Sequence, residues 1–280
     1  TIFSRGVQKI IHRFIIKKEN YIAYSWFFNL LTGILFLFLF VRGIIIPTSM
    51  YAWGLALFAG FLWAVIALVG FKSYQYTQIS LRDPLARADV LFLLLFSILI
   101  LKESITIPKL IGVLLIFTGL IILTLQKRRI FGKFSDIGVQ LTLLTAVLDG
   151  FVAIVDKIAV VYFLPVFYGF LMYFLPAVYL TPLALKNISK IKSLISNKVL
   201  WVIIACVLGV VAYYFQLSAY MLTEVNNVFP VIQLSTLVTV IGGVIIHKEK
   251  ELGLRFVGAI FMIFGSILIL RPEIVSGIAS

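Results

Sequence analysis

Long apolar runs separated by short polar links make up almost the whole chain. A helix crossing a bilayer needs roughly 20 consecutive, mostly apolar residues. By that measure the pattern predicts spans at 22–41, 52–71, 84–101, 107–125, 137–158, 162–185, 199–220, 228–246 and 252–270. The links carry turn-formers and charges, as in Ile46-Pro47-Thr48-Ser49 and Arg82-Asp83-Pro84. Links this short place consecutive helices antiparallel in one bundle. None is long enough to set off a soluble domain. Residues 1–14 (TIFSRGVQKIIHRF) are apolar with scattered charges. They read as the tail of a first span whose start precedes Thr1, or as an amphipathic helix lying in the interface.

The halves of the chain repeat. At an offset of 146, Leu101–Leu125 falls on His247–Arg271. Lys102-Glu103 then meets Lys248-Glu249, Lys109 meets Arg255, Gly112 meets Gly258 and Gly119 meets Gly265. The same register puts Tyr74 on Tyr220, Pro84 on Pro230 and Arg87 on Gln233. Apolar letters match cheaply in such a chain; charges, glycines and a proline in one register do not. The second unit holds five spans. The first shows four plus the N-terminal fragment, whose Ile2-Phe3-Ser4-Arg5 matches Ile154-Val155-Asp156-Lys157 weakly. Two five-span units must sit in the membrane in opposite orientations, a common build for secondary transporters. The expected fold is therefore all-α: a polytopic membrane helix bundle of two inverted five-helix repeats, 1–126 (N-terminally incomplete) and 135–272.

Composition narrows the class. Of 280 residues, 62% are hydrophobic and 12% charged, where soluble domains hold about 45–50% and 25%. There is too little polar surface to cover a soluble globule, and the apolar runs lack the alternation of a β-barrel. The net charge of +13 is spread between apolar runs rather than over one basic face, so no nucleic-acid partner is expected. The lone Cys206 permits no intrachain disulfide. Without a GxxxxGK[ST] loop there is no sign of direct ATP drive. With only His12 and His247 beside that cysteine, no metal site is expected from familiar ligands. No cofactor and no enzymatic activity are expected.

The turn at Leu101-Lys102-Glu103 followed by Gly112 and Gly119, and at His247-Lys248-Glu249 followed by Gly258 and Gly265, resembles the repeat ending of the drug/metabolite transporter superfamily, its EamA-like families in particular. Asp156-Lys157 also resembles the polar pair that closes the first span of that family's second repeat. The resemblance implies ten helices around a central cavity, in a multi-pass protein of a bacterial or archaeal plasma membrane. One departure stands out. The family often has Ser-Pro inside the fourth span of a repeat, whereas this chain has Ala88-Asp89 and Leu234-Ser235 there.

Lys and Arg divide unevenly between the two sides. Residues 1–20, 72–87, 126–136, 186–198 and 248–255 hold 19 of them, against four at Arg42, Lys102, Lys109 and Arg271. The positive-inside rule puts the first set in the cytoplasm and the C-terminus outside. In the ten-span layout familiar from the resembling family, both termini lie inside.

Ionisable residues within spans are costly and are candidates for function. Asp149 lies mid-span, and Asp156 two helical turns on projects from the same face. Asp149 is a candidate proton or amine partner, and Arg87 a candidate anion partner. Asp89 and Gln233 accompany Arg87 as polar positions near the repeat interface, where a charged cap at the membrane surface explains them equally. For Asp156 and Lys157, adjacent near a span end, an interfacial pair or snorkelling is the plainer reading. Glu224 with Asn226 and Asn227 reads as a solvated turn, and Asn29 as a bond to a neighbouring helix. Trp63, Tyr74, Tyr213, Tyr214, Tyr220 and Gln216 fall on the third span of each unit. They are candidate cavity walls, though interfacial-belt aromatics are the commoner case. The paired glycines read as close helix packing, in a scaffold or a dimer face. Together these features point to a secondary transporter, an uptake or efflux permease for a small-molecule substrate, in the lipid bilayer and open to homodimerisation. A non-transporting interaction, sensor or lipid-handling subunit is the alternative.

Overall fold

A computed structural model describes residues 1–39, 46–76, 82, 85–103, 106–124, 136–239, 242 and 252–270. Arg42, Asp83, Pro84, residues 126–135, His247, Lys248, Glu249 and Arg271 lie outside the described residues. The elements are helical: α1 (Ile2–Ile16), α2 (Tyr21–Leu37), α3 (Met50–Tyr76), α4 (Asp89–Phe96, extended by a π turn Ser97–Leu101), α5 (Ile107–Thr124), α6 (Ile137–Ala159), α7 (Pro165–Leu185), α8 (Ile188–Leu222), α9 (Val225–Ile232) and α10 (Leu252–Leu270). Among the described residues there is no strand. Four helices, α3, α6, α7 and α8, are long and apolar enough to cross a membrane, and shorter apolar helices accompany them. The chain is a multi-pass membrane protein.

Local chemistry sets several boundaries. Asn20 caps α2, its side chain accepting from the N–H of Ile22 and Ala23 at 3.0 Å each. Pro165 opens α7, where a missing N–H costs nothing. Two boundaries differ from the hydropathy reading. Helix α8 starts at Ile188, not 199, because Lys190, Lys192 and Lys198 belong to a helical extension of the apolar span rather than to a loop. Residues 1–14 do not lie flat in the interface. They form α1, packed on α8 and α3 with Gly6, Ile11, His12, Ile15 and Ile16 buried.

The packing is its own image when the repeats are exchanged. α3 packs on α6 as α8 packs on α1, and α3 on α7 as α8 on α2, while α2 meets its counterpart α7 and α5 meets its counterpart α10. The α5–α10 contact gives the direction. A Cβ on Gly112 would stand 2.6 Å from Gly265 O, and one on Gly119 would stand 2.5 Å from Gly258 O. Residue numbers rise along one helix as they fall along the other, so the two repeat mates run antiparallel. Each glycine faces the repeat mate of the other. A two-fold axis between the helices produces that pattern, and the halves are therefore inverted. Small residues let the backbones approach this closely, and the glycine face is filled from within the chain.

The fourth span of each unit is broken at one place. Ala88 and Gln233-Leu234 are turns. Val90 N–H donates to Arg87 O at 3.2 Å and Leu91 N–H to Ala88 O at 3.0 Å; 146 residues on, Thr236 donates to Gln233 at 3.0 Å and Leu237 to Leu234 at 2.9 Å. These tight i→i+3 bonds replace i→i+4 bonds. The discontinuity thus arises without the Ser-Pro pair of the resembling family.

The corresponding register of α1 also emerges. Gly6 lies against Ser235 O, at 2.8 Å from its would-be Cβ, and Gly150 against Asp89 O at 2.9 Å. Ser235 and Asp89 are repeat mates, so Gly6 matches Gly150 and Arg5 matches Asp149, an offset of 144. The same offset pairs His12, bonded to Tyr24 OH at 2.5 Å, with Asp156, bonded to Tyr168 OH at 2.8 Å. The match of Ile2–Arg5 to Ile154–Lys157 is therefore incorrect: contacts, not letter similarity, define the equivalence, and α1 is the counterpart of the second half of α6.

The units clasp at one end of the bundle. Glu103 accepts from the N–H of Val225 at 3.0 Å and of Asn226 at 3.3 Å, which caps α9 across the repeat boundary. Lys109 Nζ reaches Glu224 at 2.5 Å and Asn226 Oδ1 at 3.4 Å. This stretch is thus an ion-paired junction rather than a solvated turn. Lys102 just before it has φ 55°, a left-handed conformation that glycine adopts freely. Replacing Glu103 by Ala removes a carboxylate from a helix N-terminus, and thermal unfolding should show a loss of about 1 kcal/mol. An unchanged melting temperature would mean that the cap is idle.

Candidate functional site

A stripe of polar residues recurs along α1 at Arg5, Gln8, Lys9 and His12, the i, i+3, i+4, i+7 spacing of one helix face. That face opens on a cavity of about 200 Å³ inside the bundle. Helix α3 contributes Trp63 and Tyr74; the fourth-span segment Arg82, Arg87 and Asp89; α6 Asp149 and Asp156; α8 Tyr213 and Gln216; and the second broken span Gln233. Asn29, Phe28, Met172 and Tyr173 complete the middle. Both repeats and both helix breaks thus meet at one chamber.

Nine of the ten sequence-predicted site residues line it: Trp63, Tyr74, Arg87, Asp89, Asp149, Asp156, Tyr213, Gln216 and Gln233. Tyr220 stands behind the wall, its hydroxyl accepting from Gln216 Nε2 at 2.8 Å. Trp63, Tyr74, Tyr213 and Tyr220 are therefore not belt aromatics; the three tyrosines are 3%, 3% and 0% exposed. Tyr214 is absent from the cavity wall and packs on Phe215.

Asp156 is fully buried. Tyr168 OH donates to it at 2.8 Å, Tyr213 OH at 2.7 Å, and Trp63 Nε1 approaches at 3.4 Å. Three helices supply those donors, and Tyr168 was not legible as a partner from spacing. The interfacial-pair reading of Asp156 with Lys157 fails. The side chains part, because Lys157 Nζ donates to the carbonyls of Tyr220 and Thr223 near the end of α8, where a cation complements the helix dipole.

Arg87 and Asp89 are also buried, so neither is a surface cap. They form an ion pair at 3.1 Å, and Gln233 Nε2 donates to the same carboxylate oxygen at 3.1 Å. The repeat mates Arg87 and Gln233 thus converge on one acceptor, Asp89, and Lys9 Nζ donates to Ser235, the repeat mate of Asp89, at 3.3 Å. Arg82 donates to Ser73 Oγ at 2.6 Å and stacks over Tyr74 at 3.7 Å. Asn29 does not reach across to another helix; it bonds Ser25 O within α2 at 2.7 Å.

Four of the nineteen cations assigned to one membrane side, Arg5, Lys9, Arg82 and Arg87, therefore line the interior rather than a loop. The bias persists without them. Among the described residues no group of three or more His, Cys, Asp or Glu is placed to hold a metal.

The EamA-like transporter family model matches residues 2–125 and 136–271. The chain belongs to the EamA-like transporter family. The two matches cover the two inverted units, so the chamber lies between the family's repeats. No curated protein matches the chain in sequence. One solved structure, described only as "Crystal structure of protein", superposes with a TM-score of 0.70 at 12% identity, covering 95% of this chain and 96% of its own. Identity that low carries the fold alone, shared over nearly the whole length of both chains. Family membership makes the chain a membrane transporter of the drug/metabolite type.

Proposed function

We propose that the chain is a secondary active transporter of small polar metabolites, working by alternating access in a bacterial or archaeal plasma membrane. The observation that carries this reading is the polar chamber between two inverted units, walled by buried charges at matched helix breaks. Such charges are expensive in a bilayer and cluster where solutes or ions pass. Inverted units give two related conformations, one open to each side, by rocking about a fixed site. Asp149 serves as the coupling carboxylate. It faces the cavity, and among the described residues it accepts no hydrogen bond from the protein, unlike Asp89 and Asp156. In proteoliposomes, Asp149→Asn should abolish the response of solute flux to an imposed pH gradient while exchange persists. A flux that still follows the gradient removes the coupling role. The alternative of a non-transporting subunit requires that no solute exchange at all. The charge bias places the end of α10 outside; a reporter fused at Ser280 should be inactive in the cytoplasm, and cytoplasmic activity reverses the orientation.

A further inference from the structure

Outside the chamber, cations gather at a second pocket. It measures about 340 Å³ and lies where the end of α1 meets the end of α3. Ile16 and Tyr74 form its floor, 1% and 3% exposed, and Tyr74 is the partition from the chamber, which it also lines. The wall carries Arg13, Lys17 and Lys18 against a single acid, Glu19. Arg13 and Lys17 stand four apart, so two like charges share one helix face, which destabilises a helix unless a counterion is present. Lys17 and Lys18 are exposed, and among the described residues neither makes an ion pair. The flanking helices add to the excess. Lys198 of α8 sits over the Phe14 ring at 4.2 Å, and Lys72 of α3 over the Tyr21 ring at 6.0 Å. The last carbonyls of α1 are already engaged: Ile15 O accepts from the N–H of Lys18 and of Glu19 at 3.1 Å each, and Arg13 O from Lys17 at 3.2 Å.

Aromatic neighbours set the depth of this pocket in the bilayer. Phe14 meets Trp201 of α8 edge-on, ring centroids 5.3 Å apart, and the two are 45% and 44% exposed. Exposed aromatics of this kind mark the boundary between hydrocarbon and headgroups. Lys17 and Lys18 follow Phe14 by three and four residues, about 5 Å farther along the helix axis. Lys198 precedes Trp201 by three on α8, which runs the other way, since Gln8 reaches Ala205 and Arg5 reaches Gln216. Cations from both helices therefore stand one turn beyond the aromatic pair, at the level of the lipid phosphates, on the side that the charge bias marks as cytoplasmic.

We propose that this pocket holds the phosphate of an anionic phospholipid headgroup, with Lys17 and Lys18 as its charge partners and Arg13 and Lys198 beside them. The site is separate from the chamber and does not depend on the transport reading. A choline headgroup brings its own cation into a place that already has too many, whereas a glycerol headgroup leaves the phosphate charge uncompensated and available. At about 30 Å³ per displaced water, the pocket has room for roughly eleven waters, enough for a phosphate and its glycerol. A free phosphate shares the chemistry but lacks the acyl chains that lie against Phe14 and Trp201.

The test titrates the full chain, purified in a non-ionic detergent, with dioleoyl phosphatidylglycerol and separately with dioleoyl phosphatidylcholine. Native mass spectrometry counts the lipids bound, and melting temperature is the second readout. One phosphatidylglycerol should bind about tenfold or more tighter than phosphatidylcholine and raise the melting temperature. Each basic side chain near an anionic headgroup is worth about fivefold, so Lys17→Gln with Lys18→Gln should weaken that first lipid by about tenfold or more. Lys186→Gln with Lys190→Gln removes the same charge from exposed positions that do not line the pocket, and should leave the first lipid in place. Circular dichroism of both variants checks that they are folded. Inorganic phosphate and glycerol 3-phosphate at millimolar concentration should not displace the lipid. The proposal is overturned if the two lipids bind alike, if the Lys17 and Lys18 variant keeps the preference, or if the Lys186 and Lys190 variant loses it equally, which reduces the effect to bulk charge. Displacement by either free phosphate also overturns it and assigns the pocket to a soluble anion.

Discussion

Gly265→Val should be the most damaging single change outside the cavity. A Cβ there presses on Gly112 O and lies 2.8 Å from Ile116 Cγ1. The obstacle is a backbone carbonyl within a helix, which cannot rotate aside as a side chain does. Overpacking a tight contact costs about 1–3 kcal/mol, and here the reciprocal fit at Gly112 and Gly119 is lost along with it. A melting temperature reduced well beyond that of a surface variant, or failure to accumulate in the membrane, is the expected result. Gly54→Ala is the control, because nothing lies within 4 Å of its would-be Cβ; it should stay within about 1 kcal/mol of wild type. If the two variants melt together, the α5–α10 contact is not a stabilising element.

Asp156→Leu is the second large effect. The substitution strands the hydroxyls of Tyr168 and Tyr213 and weakens the anchorage of Trp63. Each stranded buried donor costs about 1–3 kcal/mol, so the loss should reach about 3 kcal/mol or more in thermal unfolding. Asp156→Asn keeps one carbonyl acceptor and should cost less. Adding Tyr168→Phe and Tyr213→Phe to Asp156→Leu removes the stranded donors and should recover part of the loss, because exchanging both partners of a bond for apolar groups is far cheaper than removing one. A triple variant less stable than Asp156→Leu alone contradicts this account of the cluster.

Much of the fold was legible because the bilayer imposes a simple rule on sequence. Spans had to be apolar for about 20 residues, and matched charges and glycines at one offset exposed the duplication. The cavity wall was legible where a polar residue interrupts an apolar run, as at Asp149, or where the repeat pairs two positions, as at Arg87 and Gln233. It was illegible in α1. There the polar stripe Arg5, Gln8, Lys9, His12 has the spacing of one face, but a stripe of that kind serves an interfacial helix as well as a buried one. Composition cannot separate these cases, because only neighbours decide which surface a polar face meets. The same holds for the tyrosines: hydropathy treats a lipid-facing phenol and a carboxylate-binding phenol alike.

From its sequence alone the chain is a membrane-embedded, duplicated helical bundle, because the hydrophobic effect and the odd span count leave no other arrangement. Partnership was decided only in three dimensions: that Arg87 is consumed by Asp89, that Asp156 is caged by phenols, and that Arg5 faces the same chamber as Asp149. Burial is a property of each residue and its run, and so is written locally. Pairing joins residues separated by up to more than two hundred positions, such as Arg5 and Gln216, and arises only when the inverted halves close on each other.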